Sequence, residues 1–284
     1  MFRRRIKYFL ILIIFSNQLL LAQYYSFGRN KVQYSNFDWK ILKTKHFDIY
    51  YYGDFYELAD IGAEYAEQAF DEYKVKFNSY IVRRIPLIFY NTPLHFQQTN
   101  TIPGLIPDAV GGFFEFAKGR VVIPSNGSLQ DFKHVIRHEL THVFMKNKLF
   151  HITSAHRQST GKSPPLWFTE GLAEFNSTKV NAQAEMLIRD AVMNNFFVGL
   201  QNIYKIAGTF LMYKEGQNFL EFVKEKYGAD KIFLMMDNIW MYKKFTNVIE
   251  FTLGKSIEQI DDEWISYLKK KYYPLYAIDD QFDV

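Results

Sequence analysis

The sequence predicts an α+β fold: a mixed sheet with a motif-bearing helix in the first half of the chain, and a purely helical lobe in the second. Three observations predict it. Short β-rich runs alternate with one long helical pattern before residue 125, an N-cap signal opens a helix near residue 129, and only helical periodicity follows from about residue 182 to 272. The chain has 284 residues, 48% hydrophobic and 18% aromatic, with no low-complexity linker and no internal repeat. That length and composition suit one large domain or two closely packed lobes. The boundaries read are 1–22 for a leader, 23–36 for an extension, 37–180 for an α/β lobe, 181–274 for a helical lobe and 275–284 for an acidic tail.

The elements follow in order. Residues 39–42 and 46–52 read as strands by their β-rich or alternating composition, and Ala59, Ala63, Ala66, Ala69 and Phe70 mark one face of a helix over about 54–77. Residues 85–90 are a further strand. Residues 112–116 and 119–124, each opening with glycine, form a hairpin at the sheet edge. Ser128 with Asp131 three residues on is an N-cap signature, and Phe132, Ile136, Leu140 and Val143 then recur at helical spacing. Pro164 and Pro165 suit the first turn of the next helix, which carries Glu170 and Glu174 one turn apart.

On the helix after Ser128 stands His138-Glu139-Leu140-Thr141-His142, an H-E-x-x-H motif. Residues four apart share a helix face, so both imidazoles aim at one ion while Glu139 stands beside it. A shuffled chain of this composition carries the motif about one time in a hundred, so its context must carry weight too. A catalytic zinc has three protein donors and an open position. With no cysteine in the chain, the third donor falls to an acid or a histidine, and Glu170 fits: the stretch from 142 to 170 leaves room for a helix end, a loop and the start of a helix that packs back. Glu174, one turn on, is suited to orient a ligand histidine. His134 extends the histidine series by a turn, but two turns span about 12 Å while zinc–nitrogen bonds are near 2 Å, so His134 is expected to stand aside. His151 and His156 fall in the polar segment leading to Pro164.

The pairing of His138-Glu139-Leu140-Thr141-His142 with Trp167-Phe168-Thr169-Glu170-Gly171-Leu172-Ala173-Glu174-Phe175 resembles the gluzincin metallopeptidases, in particular the peptidase MA-like family. The resemblance extends over about residues 37–274 through supporting segments: the 112–124 hairpin, Tyr213-Lys214-Glu215-Gly216-Gln217, and Ser256 to Trp264. It implies a thermolysin-like fold, a single Zn2+ held by His138, His142 and Glu170, and peptide hydrolysis. It also implies that Tyr213 donates a hydrogen bond to the oxyanion, as the tyrosine of related aminopeptidases does.

Zinc lowers the pKa of bound water to about 7, and Glu139 is placed to take its proton and later return it. The strand at 112–116 offers main-chain groups to an extended peptide, making Gly112, Phe113 and Phe114 candidate substrate-binding residues, although the same glycines equally mark a hairpin or bulge.

Residues 1–22 read as a secretory leader, with Arg3, Arg4, Arg5 and Lys7 before an apolar run and a cleavage point after Ala22. The expected location is the periplasm, envelope or exterior of a bacterium, with membrane attachment only through an uncleaved leader. The formal net charge of +4 resides entirely in those four basic residues. No basic face is left to track phosphates, and Lys269, Lys270 and Lys271 read as a solvated helix end, so nucleic acid is not an expected partner. The expected partner is a peptide or protein substrate; oligomeric state is left open. A second class of function is a cell-envelope scaffold with a structural or vestigial zinc site. Some relatives of this type join a TolB-like β-propeller, and the chain resembles the front piece of such a protein.

Overall fold

Short runs rich in β-branched and aromatic residues make five strands. The computed structural model describes residues 31–275 except 32, 103, 108–109, 158–162 and 178–179. The leader, residues 23–30 of the extension and the tail from 276 lie outside the described residues. The strands are β1 (Trp39–Lys43), β2 (Phe47–Tyr52), β3 (Ile85–Tyr90), β4 (Phe113–Glu115) and β5 (Arg120–Pro124), in the order β1-β2-β3-β5-β4. β2, β3 and β5 are parallel, and β1 and β4 close the two edges antiparallel. The sheet is mixed, as expected, and the fold is α+β.

Helix α1 (Tyr56–Lys76) connects the parallel strands β2 and β3. Its buried face is largely alanine, at Ala59, Ala63, Ala66 and Ala69, so helix and sheet approach closely. A short helix α2 (Pro93–Phe96), capped by Thr92, precedes β4. Helix α3 (Leu129–Ala155) begins as the sequence predicts: the Ser128 hydroxyl accepts from the Asp131 amide at 3.2 Å. It runs on through His151 to Ala155, so His151 is helical and not in a loop. Nothing in that stretch breaks a helix, since neither glycine nor proline falls before Gly161.

Helices α4 (Leu166–Ser177), α5 (Ala182–Met193), α6 (Phe210–Tyr227), α7 (Asp230–Asp237), α8 (Phe245–Leu253) and α9 (Ile257–Tyr272) form the helical half. Asn181, Thr209 and Ser256 cap α5, α6 and α9, the last with a complete capping box to Gln259. Side chains from both halves share one buried cluster, from Phe47 and Phe89 on the sheet through Phe144 and Phe168 to Phe219 and Trp264. The opposite sheet face carries a smaller cluster of Tyr52, Tyr90, Phe96, Ile106 and Val122. Among the described residues no helix is long and apolar enough to cross a membrane.

Two contacts fix α3, α4 and α6 relative to each other. Helices α4 and α6 meet where Gly171 faces Gly216: a Cβ on Gly171 would lie 2.6 Å from the Gly216 carbonyl carbon, and one on Gly216 would lie 2.3 Å from the Trp167 oxygen. The C-terminal carbonyls of α4, which no intrahelical amide reaches, are taken up by α3 and α1. The Arg137 guanidinium donates to the Asn176 oxygen at 2.8 Å and, through Nε, to the Ser177 oxygen at 3.2 Å, while Tyr73 donates to the Asn176 oxygen at 2.9 Å.

Candidate metal centre

Arg137 is the residue before His138, so the clamp on the end of α4 also sets α4 against the histidine face of α3. Across that contact His138 Nε2 lies 3.2 Å and His142 Nε2 3.5 Å from the same oxygen, Oε2 of Glu170. A four-coordinate ion with bonds near 2.1 Å holds its donors about 3.4 Å apart, a spacing these two separations match, and the three ligand atoms all lie within 4.8 Å of one another. The donor set, two imidazole nitrogens and a carboxylate oxygen, fits a metal ion that is neither hard nor strongly thiophilic. His138, His142 and Glu170 could therefore hold one ion.

Among the described residues a second group of donors converges on Glu174: His138 Nδ1 at 3.3 Å and His134 Nε2 at 3.6 Å, both from Oε1. His134 does not stand aside. It fails to reach the first triad, as the pitch of the helix requires, but meets the acid one turn further along α4. The other oxygen of Glu174 accepts from the Lys214 ammonium at 2.5 Å. A cation already in place makes this the poorer metal site and leaves Glu174 as an acceptor for the far nitrogen of His138.

The electrostatics follow from burial and proximity. Burial alone would hold His138 neutral, but the Glu170 and Glu174 carboxylates outweigh it and raise the imidazole to about 10. Burial pushes Glu170 up, yet hydrogen bonds from His138 and His142 bring it down to about 2. Glu174 is likewise held below the ordinary carboxylate range, against its burial, by His134, His138 and the Lys214 charge. Glu139 behaves in the opposite way: it is only 5% exposed, and burial raises its carboxyl against the pull of both histidines and of the Phe114 backbone amide.

Edge strand β4 approaches this cluster from the other side. A Cβ on Gly112 would lie 2.7 Å from Val135 Cγ1 and 3.5 Å from Glu139 Cγ, so the strand entry rests on the Glu139 face of α3 and only glycine fits. Phe114 is buried on that same side of the sheet. Phe113 turns to the other side, where its ring lies 5.5 Å from Phe96, so the side chain of this candidate substrate-binding residue is not at the cluster. Tyr213, on α6, lies within the field of Glu170, Glu139 and Glu174; burial first and those charges second raise its phenol to about 12, so it remains a donor at neutral pH. His156 caps α3 and stacks on Trp240 at 3.6 Å, apart from the cluster.

Neither Lys214 nor Arg137 was identified from sequence. Their roles depend on contacts across 40 and 39 residues, and a lone Lys or Arg carries no spacing signal. His134 had one, its place four residues before His138. Compared with known proteins, the chain matches no family model and no curated protein.

Proposed function

We propose that this chain is an exported zinc-dependent peptidase that hydrolyses peptide bonds with water. The observation that carries the reading is the convergence of His138 Nε2 and His142 Nε2 on Glu170 Oε2, with a buried, raised Glu139 next in sequence to the first histidine. A structural site needs ligands but no such base. Zinc bound by these three residues supplies Lewis acidity, polarising the peptide carbonyl and lowering the pKa of water to about 7.

The remaining steps belong to the protein. Glu139 accepts a proton as the water oxygen bonds to the carbonyl carbon, then delivers it to the departing amide nitrogen as the C–N bond breaks. Burial favours the protonated form of Glu139, which helps it take the proton up and hold it until the amide departs. Tyr213 donates its O–H to the developing oxyanion. Glu174 accepts from His138 Nδ1–H and so turns Nε2 toward the ion. An extended peptide adds as a further strand along β4, which among the described residues is an edge of the sheet and whose entry at Gly112 rests on the Glu139 face of α3. The leader at 1–22 supports a periplasmic or extracellular location.

The test is a cleavage profile of the purified mature protein against a peptide library, with zinc analysis and a chelator control. About one zinc per chain and cleavage that chelation abolishes and zinc restores are expected. Zinc retained without cleavage of any peptide would favour the cell-envelope scaffold reading instead.

A further inference from the structure

Lys214 has no part in the chemistry above, yet it is buried against it. Its Nζ donates to Glu174 Oε2 at 2.5 Å with both side chains 7% exposed, and the ammonium stands 5.0 Å from the centre of the Phe210 ring. Removing two charges from water costs several kcal/mol per ion, and an apolar pair of similar volume holds two helices together at least as well. Stability alone is thus a weak reason for the pair.

The two oxygens of Glu174 offer a stronger one. Oε1 faces His138 Nδ1 at 3.3 Å and His134 Nε2 at 3.6 Å, while Oε2 faces Lys214. The terminal torsion of a glutamate is broad, and a carboxylate held at one oxygen only is free to turn. Held at both, it is fixed. His138 meets an ion through Nε2 only if its proton is on Nδ1, and that tautomer needs an acceptor in line with Nδ1. We infer that Lys214 is a positioning residue: by holding Oε2 it keeps Oε1 of Glu174 on His138 Nδ1, which sets the ring orientation and tautomer with which His138 meets the metal. A residue of α6 thereby acts on a ligand of α3 through α4, and the Gly171–Gly216 contact brings the three within reach. The inference rests on the proposed metal site.

The test is a double-mutant cycle on the mature protein, read as zinc affinity by chelator competition and as the visible spectrum of the cobalt-substituted protein. Lys214→Met and Glu174→Gln are each expected to weaken zinc binding about tenfold or more, with circular dichroism unchanged. The double variant is expected to match the weaker single one within about twofold, because both changes remove the same constraint. The cobalt spectra of the two single variants should shift alike. Unchanged zinc affinity in Lys214→Met, or losses that multiply in the double variant, would overturn the inference. If Lys214→Met does not fold, Lys214→Gln is measured with the same expectations. Failure of the metal-site reading itself would show separately, as absence of zinc binding in the wild type.

Discussion

Glu139 is both buried and beside two histidines, so its replacement separates binding from chemistry. Glu139→Gln is expected to retain zinc and lose about 10²–10⁴ in turnover, the usual worth of a general base; cleavage at the parental rate would sink the mechanism. His138 permits a second prediction. In the metal-free protein the two glutamates hold its proton up to about 10, and an ion must displace that proton. Zinc uptake at pH 7 should therefore release about one proton, and log affinity should rise by about one per pH unit between roughly pH 7 and 9. Calorimetry in buffers of different ionisation heat measures this directly, and a buffer-independent heat would contradict it. At this scale the donor cluster of His138, His142 and Glu170 was legible because helix periodicity and ligand chemistry both constrain it. Lys214 was not, since a buried lysine and a solvated one read alike along the chain.

Between elements, the glycine contact of α4 with α6 reverses an ordinary rule. Alanine in place of glycine in an exposed helix stabilises by about 1 kcal/mol, but at Gly171 or Gly216 the new methyl would meet backbone, and overpacking costs about 1–3 kcal/mol or more. Gly171→Ala and Gly216→Ala are each expected to lower the melting temperature by several degrees and to weaken zinc binding together with it. Thermal melts with and without zinc check both. Glu215 ties the loop before α6 to that helix. Its Oε1 accepts from the Val198 amide at 3.2 Å, while Asp261 of α9 accepts from the Leu200 and Gln201 amides. Burial raises Glu215 to about 8. Between its unfolded value near 4.5 and 8 the folded chain holds a proton that the unfolded chain releases, so this residue makes stability fall as pH rises, by at most about 1.4 kcal/mol per unit. Urea unfolding at pH 5 and pH 8 should show a smaller loss in Glu215→Gln than in the wild type. The start of α3 was legible from its cap at Ser128. The end of α3 was not, because polar residues on the outer face of a helix resemble a loop.

On the proposed reading, metal and stability are linked for the molecule as a whole. Zinc held at a thousand times its dissociation constant adds about 4 kcal/mol, so a chelator should lower the melting temperature measurably, and a Glu170→Ala variant should lose that response. The sequence of elements was readable along most of the chain because strands, caps and helical stripes are local signals. The strand order, with β5 between β3 and β4, was not, since pairing is decided between residues far apart in sequence.

The contact of Gly171 with Gly216 also bears on whether the donor cluster can change shape. Shear motion slides packed helices past one another, and at this point α4 and α6 meet backbone to backbone with no side chain between them. Glu170 on α4 and Tyr213 on α6 would therefore move as one body. On the proposed reading the ion would keep the same surroundings whether or not a peptide is bound, and a cobalt spectrum that changes little when a peptide is added would bear this out; a large change would show that the two helices slide.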